Sequence, residues 1–256
     1  MDIPTGDLAL GIGYVSASQR TRVITEAWIG QNGYCLACES DRLTATSANT
    51  QSRDFECPHC GHPYELKSSR SPFGTRVVDG AYSSMMRRIQ NSTVPSFLLL
   101  QYSPSWRVIN LTAIHHALIS PVAIQRRTPL AASARRAGWV GCNLLLSKIP
   151  NEGRISMVSQ GIAANKSLCR KSFAATGQFA RLTPEGKSWT ATTLRLLHSL
   201  GSRNFSIQDA YTLECELSQV FPENKNIRAK IRQQLQVLRD AGFLIFESRG
   251  NYKFRY

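Results

Sequence analysis

The sequence predicts a mixed α/β (α+β) domain with a four-cysteine site set into it, followed by a smaller α+β domain of helices and a hairpin. Three observations predict this. Cys35-Leu-Ala-Cys38 and Cys57-Pro-His-Cys60 are two CxxC turns separated by 18 residues. Helical patterns lie on either side of that region, and a continuous apolar run of strand length, residues 96–102, follows. From residue 188 onward, helical spacing recurs and gives way to a hairpin pattern around Ser248 to Asn251.

Taken in order, residues 17–30 read as an amphipathic helix, with Val23 and Ala27, and Ile24 and Trp28, at helical spacing. The cysteine-bearing stretch follows, with strand-like flanks that carry Phe55 and Tyr64. Residues 68–80 are rich in Ser, Gly and Pro and read as a loop. Tyr82, Met85, Met86 and Ile89 mark the inward stripe of a short helix, the methionines as core filling. Residues 96–102 suit a buried sheet centre, and residues 106–111 add a neighbouring strand. Between 112 and 183, Pro129, Gly138, Gly141, Pro150 and Gly153 punctuate the pattern, so this region reads as strand-poor covering structure. A linker is expected at 182–186, dividing the chain into 1–183 and 184–256.

In the second part, Thr193, Leu194, Leu197 and Leu200 stand at helical spacing. Ser206 and Asp209 make a capping-box-like start for a helix reaching residue 220. A third helix over 223–241 ends at Gly242, buries Ile227, Ile231, Leu235 and Leu238, and leaves Lys225, Arg228, Arg232, Gln236 and Arg239 as a polar stripe. Residues 243–246 and 252–254 form the hairpin. Three helices and a hairpin make a winged helix, whose third helix suits a DNA major groove. A winged domain that binds protein, with a solvated basic helix, is the competing reading.

The cysteine spacing is that of a zinc site, since two CxxC turns complete a tetrahedral thiolate shell. Four cysteines saturate the ion, so this zinc holds structure and leaves no open position for hydrolysis. Disulfides are the alternative. Seven cysteines pair poorly, and MDIPTGDLALGIGYV lacks a basic start followed by an apolar core, so export is not expected. A reducing cytoplasm then favours metal. Cys142, Cys169 and Cys215 have no partner at useful spacing and read as small, partly buried residues.

Lys and Arg total 31 against 17 Asp and Glu, a net charge of +14 that predicts a polyanionic partner, nucleic acid first. An acidic membrane surface ranks second, and no apolar run approaches the roughly 20 residues needed to cross a bilayer. No heptad is apparent, so a monomer without an obligate protein partner is expected.

Asp54 and the tripeptide Glu65-Leu66-Lys67 straddle the second CxxC turn. Along a strand, Glu65 and Lys67 share a face, while Leu66 faces the core and offers its carbonyl. With Asp54 on the adjoining strand, two carboxylates and that carbonyl are hard oxygen ligands for Mg2+, and Lys67 can orient water or counter developing charge. Glu26 on the first helix is a further candidate acid. The competing reading is surface charge on a hairpin. In Ala134 to Asn143, Arg135 and Arg136 can grip phosphates and Trp139 can support a base or a methyl group, or the tryptophan is a packing anchor.

The order helix, acid-bearing strands, helix, buried strand resembles the restriction-endonuclease-like core of the PD-(D/E)xK nucleases, with Arg53 in place of the motif's proline. Longer strings make the chain similar, nearly end to end, to the methyl-directed restriction endonucleases. These are Tyr34-Cys35 with both CxxC turns, Glu65-Leu-Lys-Ser68, Asp79-Gly-Ala-Tyr82 with Met85-Met86, Ala134-Arg-Arg-Ala-Gly-Trp139 with Gly141-Cys-Asn143, and Ile231-Arg-Gln-Gln-Leu-Gln236 with Leu238-Arg-Asp240. The resemblance implies double-strand cleavage at GATC sites methylated on adenine, with both domains reading methylated DNA. It implies Asp54, Glu65 and Lys67 as catalytic, Cys35, Cys38, Cys57 and Cys60 as zinc ligands, and Trp139 on the methyladenine-sensing surface. The expected DNA contacts are Arg135, Arg136, Trp139, Lys225, Asn226, Arg228 and Arg232. Residues 144–182 and Pro222-Glu223 diverge most. Competing readings are a non-cleaving methyl-DNA reader or winged-helix regulator with inert acids, and an RNA-processing nuclease.

Overall fold

A computed structural model describes residues 1–47 and 53–255. In chain order its elements begin with α1 (Thr5–Ala9), α2 (Ala17–Asn32), β1 (Thr44–Ala45), β2 (Phe55–Glu56), β3 (Pro63–Ser69), β4 (Arg76–Ala81) and α3 (Tyr82–Gln90). Next come β5 (Ser96–Tyr102), β6 (Val108–Ile114), β7 (Ile124–Arg126), β8 (Gly141–Leu145), β9 (Arg154–Ser159), β10 (Ile162–Ala163) and α4 (Lys166–Gly177). The last are α5 (Pro184–Ser199), β11 (Asn204–Ser206), α6 (Ile207–Tyr211), α7 (Glu214–Val220), α8 (Ile227–Asp240), β12 (Leu244–Ser248) and β13 (Asn251–Phe254). They pack as two compact units. The first comprises Met1–Gly74, Thr93–His116 and Glu152–Ala174, and the second takes Thr75–Ser92, Ala117–Asn151 and the chain from Ala175 onward.

The first unit is built on a seven-stranded sheet of order β1-β2-β3-β5-β6-β9-β10. Only β3 and β5 pair in parallel; the other neighbours are antiparallel. A parallel pair needs a crossover, so the central strands are distant in sequence although adjacent in space. Ile24, Trp28 and Ile29 of α2 join Tyr64, Leu98, Leu100 and Tyr102 in one core cluster. Burial of an aliphatic side chain such as Leu98 contributes about 1.5–3 kcal/mol. The Ser68 hydroxyl donates to Thr25 Oγ1 at 2.9 Å, tying β3 to α2. Because side chains alternate along a strand, Glu65 and Lys67 lie on the opposite face, in register with Phe97 and Leu99.

Two loop expectations are corrected here. β3 runs to Ser69 and β4 begins at Arg76, so most of the Ser/Gly/Pro-rich stretch from 68 to 80 is strand. Burial alternates along β4, with Val77 and Asp79 inward, and this pattern outweighs composition. The stretch from 112 to 183 is not strand-poor. It holds the end of β6, then β7 to β10 and α4. Its strands of two to six residues are too short for periodicity to register.

In the second unit, β4, β8 and β7 form a three-stranded antiparallel sheet in the order β4-β8-β7. Met85 and Ile89 of α3 are buried, whereas Met86 is only half-buried. The expected linker at 182–186 is instead a helix start. The Thr183 side chain caps α5 by accepting from the Gly186 N–H at 3.1 Å, and Pro184 occupies the first turn, where its missing N–H costs nothing. α5 packs against the 3-10 turns Pro121–Ala123 and Leu146–Lys148.

The C-terminal helices adopt the expected winged-helix arrangement, with two refinements. The single helix expected over 206–220 is divided into α6 and α7, and β11 adds a third strand beside the hairpin in the order β11-β13-β12. Ser206 and Asp209 make both hydrogen bonds of a capping box. α8 starts at Ile227, later than expected, and buries Ile227, Ile231, Leu235 and Leu238. It ends in a Schellman motif: Gly242, at φ +73°, donates to the Arg239 carbonyl and Phe243 to the Leu238 carbonyl. Thr190 of α5 donates to Gln234 of α8 across the buried interface at 2.8 Å.

Candidate active site and nucleic-acid surfaces

Asp54 stands immediately before β2, and its backbone N–H donates to the Tyr64 carbonyl at 2.9 Å. Its side chain turns back onto β3, where Oδ2 accepts the Leu66 N–H at 2.8 Å. The Asp54 carboxylate is thereby fixed beside the peptide that joins Glu65 to Leu66. In an extended strand the N–H and C=O of one residue point to the same side. The Leu66 carbonyl therefore points toward the Asp54 edge as its N–H does. Glu65 is buried, and its Oε1 accepts from Lys67 Nζ at 2.7 Å. The same ammonium lies 5.8 Å from the centre of the Phe97 ring.

Sequence reasoning missed Arg22. Its Nε donates to Glu26 Oε1 at 2.6 Å, and its Nη2 lies 3.8 Å from Asp54 Oδ1. Glu26 first, and Asp54 to a smaller extent, hold the guanidinium above its usual pKa range, so a fixed cation sits at the carboxylate edge. The i,i+4 spacing of Arg22 and Glu26 on α2 is the signal that could have found it. Arg22, Glu26, Arg53, Asp54 and Ala45 to Ser47 line a cleft of about 150 Å³. Glu65 and Lys67 do not line it. Asp54 thus lines the cleft while its carboxylate is bonded to the β3 backbone at Leu66, between the two members of the Glu65–Lys67 pair in sequence.

The four cysteines come together as the spacing requires. All four Sγ atoms lie within 4.8 Å of one another, with Cys35 and Cys60 at 3.6 Å and Cys38 and Cys57 at 3.5 Å. Tetrahedral thiolates at the usual zinc–sulfur bond length stand ~3.8 Å apart, so this cluster fits a structural zinc. Backbone N–H groups aim at two sulfurs, Ala37 at Cys35 and both His59 and Cys60 at Cys57. Burial pushes the Cys57 thiol up, but those N–H donors outweigh it and bring the group down to about 6. Burial raises Cys35 and Cys60. Arg170 of α4 fastens the first turn by donating to the carbonyls of Cys35 and Ser40 and to the carboxylates of Glu39 and Asp41. Cys142 and Cys169 are buried as expected, whereas Cys215 is exposed.

Arg135, Arg136 and Trp139 lie in the loop joining β7 to β8. This loop continues the hairpin, with Arg127 donating to the Gly141 carbonyl and Leu130 to the Trp139 carbonyl. Trp139 is half-buried, and the Arg136 guanidinium stacks 4.7 Å from its ring centre. Gly141 permits this placement, because a Cβ there would come within 2.8 Å of the indole. Arg126 and Arg127, exposed on the same hairpin, extend the basic surface.

Lys225 and Asn226, just before α8, and Arg228, Arg232, Gln236 and Arg239 on it are all exposed, the last four beside the buried apolar stripe. Asn226 makes no side-chain cap, which leaves its amide outside the helix's own bonding. Arg232 donates to the Tyr211 hydroxyl at 2.6 Å, and Arg228 pairs with Glu214 at 2.7 Å while lying over the Tyr211 ring. Tyr211 is a neighbour that sequence reasoning missed.

Among the described residues, no helix is long and apolar enough to cross a membrane. The sequence model of the DpnI, Dam-replacing, family matches residues 5–181. A second model, the Dam-replacing HTH domain, matches residues 185–254. Together they cover nearly the whole described chain, and the second match marks the C-terminal helices as a DNA-binding fold.

Proposed function

The chain belongs to the DpnI, Dam-replacing, family, and from that premise we propose that it is a type II methyl-directed restriction endonuclease. In this reading it makes Mg2+-dependent double-strand breaks at GATC sites methylated on adenine. By function, residues 1–183 form the endonuclease domain and 184–256 the winged-helix domain. It acts as a monomer in the cytoplasm. The observation that carries the reading is the Asp54 carboxylate bonded to the amide between Glu65 and Leu66, one residue before Lys67.

Asp54, Glu65 and the Leu66 carbonyl are the oxygen donors that would hold Mg2+, a hard donor set of the kind this ion prefers. When bound, the ion supplies Lewis-acid stabilisation of phosphate charge and a lowered pKa for attached water. The β3 amide fixes the Asp54 carboxylate before substrate arrives, so little reorganisation is needed at the reacting phosphate. Lys67, held by Glu65, keeps an ammonium beside the developing charge and orients the attacking water. The four-cysteine turn braces the hairpin that carries these groups.

Arg135, Arg136, Lys225, Arg228 and Arg232 grip the phosphate backbone, with Asn226 beside them at the start of α8. Trp139 faces the methylated base. A methyl on the adenine amino group adds apolar surface worth about 1 kcal/mol when buried and removes one amino hydrogen from the groove pattern. Two tethered reading surfaces multiply such modest preferences through effective concentration.

The test uses plasmid from adenine-methylating and non-methylating hosts, incubated with the full chain and Mg2+. Fragments that map to GATC only in methylated plasmid are the expected result. Equal cutting of both plasmids would refute methyl dependence, and a gel shift without cutting would leave a reader whose acids are inert.

A further inference from the structure

We propose that Tyr64 is a positioning residue that couples the zinc turn to the carboxylates of the candidate active site, so that metal loading of the cysteines sets the hairpin for cleavage. The proposal rests, for its effect on cleavage, on the nuclease reading above.

Tyr64 lies on β3 directly before Glu65, and its ring is wholly buried. Its backbone belongs to the active-site hairpin. It pairs with Phe55 of β2, and its carbonyl accepts the Asp54 N–H at 2.9 Å. Its side chain belongs to the other end of the cysteine region. The phenolic oxygen accepts the Leu36 N–H at 2.9 Å and lies 3.4 Å from Cys35 Sγ. One residue thus bonds the first CxxC turn with its tip and the Asp54 strand with its backbone.

The direction of the coupling follows from the geometry. An ion held by four cysteines would fix both CxxC turns in place, and the Leu36 N–H bonded to the Tyr64 oxygen passes that constraint to β3. Loading therefore holds Tyr64 against the first turn and fixes the strand that carries Glu65 and receives Asp54. Emptying the cluster or oxidising its thiolates releases the same tether. Partners just outside the ligand shell of a metal site act in this way on both metal retention and ligand geometry.

The experiment compares zinc-loaded full-length wild type, Tyr64→Phe and Tyr34→Phe. Tyr34 is a matched control: it is buried and adjacent to Cys35, but lies outside the β2–β3 hairpin. Zinc release to excess chelator is followed with a colorimetric indicator, and hydrogen exchange is read at the Asp54 and Leu66 amides. Cleavage of a methylated GATC duplex is measured as kcat and KM. Tyr64→Phe should release zinc about tenfold faster, exchange faster at both amides, and lose kcat with KM for DNA unchanged. Tyr34→Phe should match wild type. Wild-type zinc release and exchange in Tyr64→Phe would overturn the proposal, as would equal losses in both variants. In case Tyr64→Phe does not fold, stripping zinc from wild type must by itself speed exchange at Asp54 and Leu66, and unchanged exchange there also overturns it. The zinc and exchange measurements contain no DNA, so they decide this proposal even where an uncut methylated duplex sinks the nuclease reading.

Discussion

At the residue scale the candidate chemistry rests on how Asp54 is held. Its Oδ2 accepts the Leu66 N–H, and an asparagine there can still accept that bond through its amide oxygen. Asp54→Asn therefore removes the charge while leaving the hairpin intact. We expect cleavage to fall by roughly 10²–10³ or more, the scale on which one preorganised electrostatic contact is lost, with DNA affinity near wild type by gel shift. Lys67→Ala should behave alike. Retained cutting in both variants would show that the acids are structural. Trp139 makes a different prediction. Because its indole is only half-buried and is braced by Arg136, Trp139→Ala should narrow the ratio of methylated to unmethylated cutting by about fivefold, equivalent to the ~1 kcal/mol of one buried methyl. An unchanged ratio removes Trp139 from the reading surface.

At the scale of elements, what was legible in the sequence tracks which signals are local. The CxxC turns, the Ser206–Asp209 capping box and the Gly242 stop are local, and each is where its chemistry requires. The apolar run of β5 was legible for the same reason. Strands β7 to β10 were not, because a strand of two to six residues is too short for alternation to register and is specified by the neighbour it pairs with, as β10 is by β9 and β7 by β8. The linker reading failed because Thr183-Pro184 serves equally well as a helix start, and tertiary packing of α5 selects the helix. In the site, i,i+2 alternation on β3 revealed that Glu65 and Lys67 share a face, but the reach of Arg22 to Asp54 and of Tyr64 to Cys35 depends on packing between elements. The capping box permits a test. Ser206→Ala should cost about 1 kcal/mol in the winged-helix region, measured by denaturant unfolding at neutral pH. Hydrogen bonds from the Ser206 backbone, and then its side chain, hold the Asp209 carboxyl below its usual 3.8. A depressed carboxylate contributes stability above its unfolded pKa and loses it as pH falls through the folded value. The wild-type advantage over Ser206→Ala should therefore be full at neutral pH and shrink below pH 3.8. An advantage that grows on acidification would exclude this origin.

At the scale of the whole molecule, a single set of Asp54, Glu65 and Lys67 is present among the described residues of a chain proposed to cut both strands. One hydrolytic site cannot engage two scissile phosphates at once, so a monomer must cut twice, either by turning over on the duplex or through a second molecule. On a supercoiled plasmid with one methylated GATC, nicked circles should therefore form before linear product. The lag between them should shorten as protein is raised if a second molecule supplies the second cut, and stay constant if one molecule reorients. The net charge of +14 bears on the same experiment, because it favours staying on DNA between cuts. Each phosphate contact contributes about 0.9 to the slope of log affinity against log salt. Raising salt should thus release the protein after the first cut and let nicked circles accumulate. Removing Arg232 or Arg136 should do so at lower salt than wild type requires. Linear product that appears without a nicked precursor, at every salt and protein concentration, would mean that two active sites are already assembled on the duplex, and the monomer reading would fall while the chemistry at Asp54 stood.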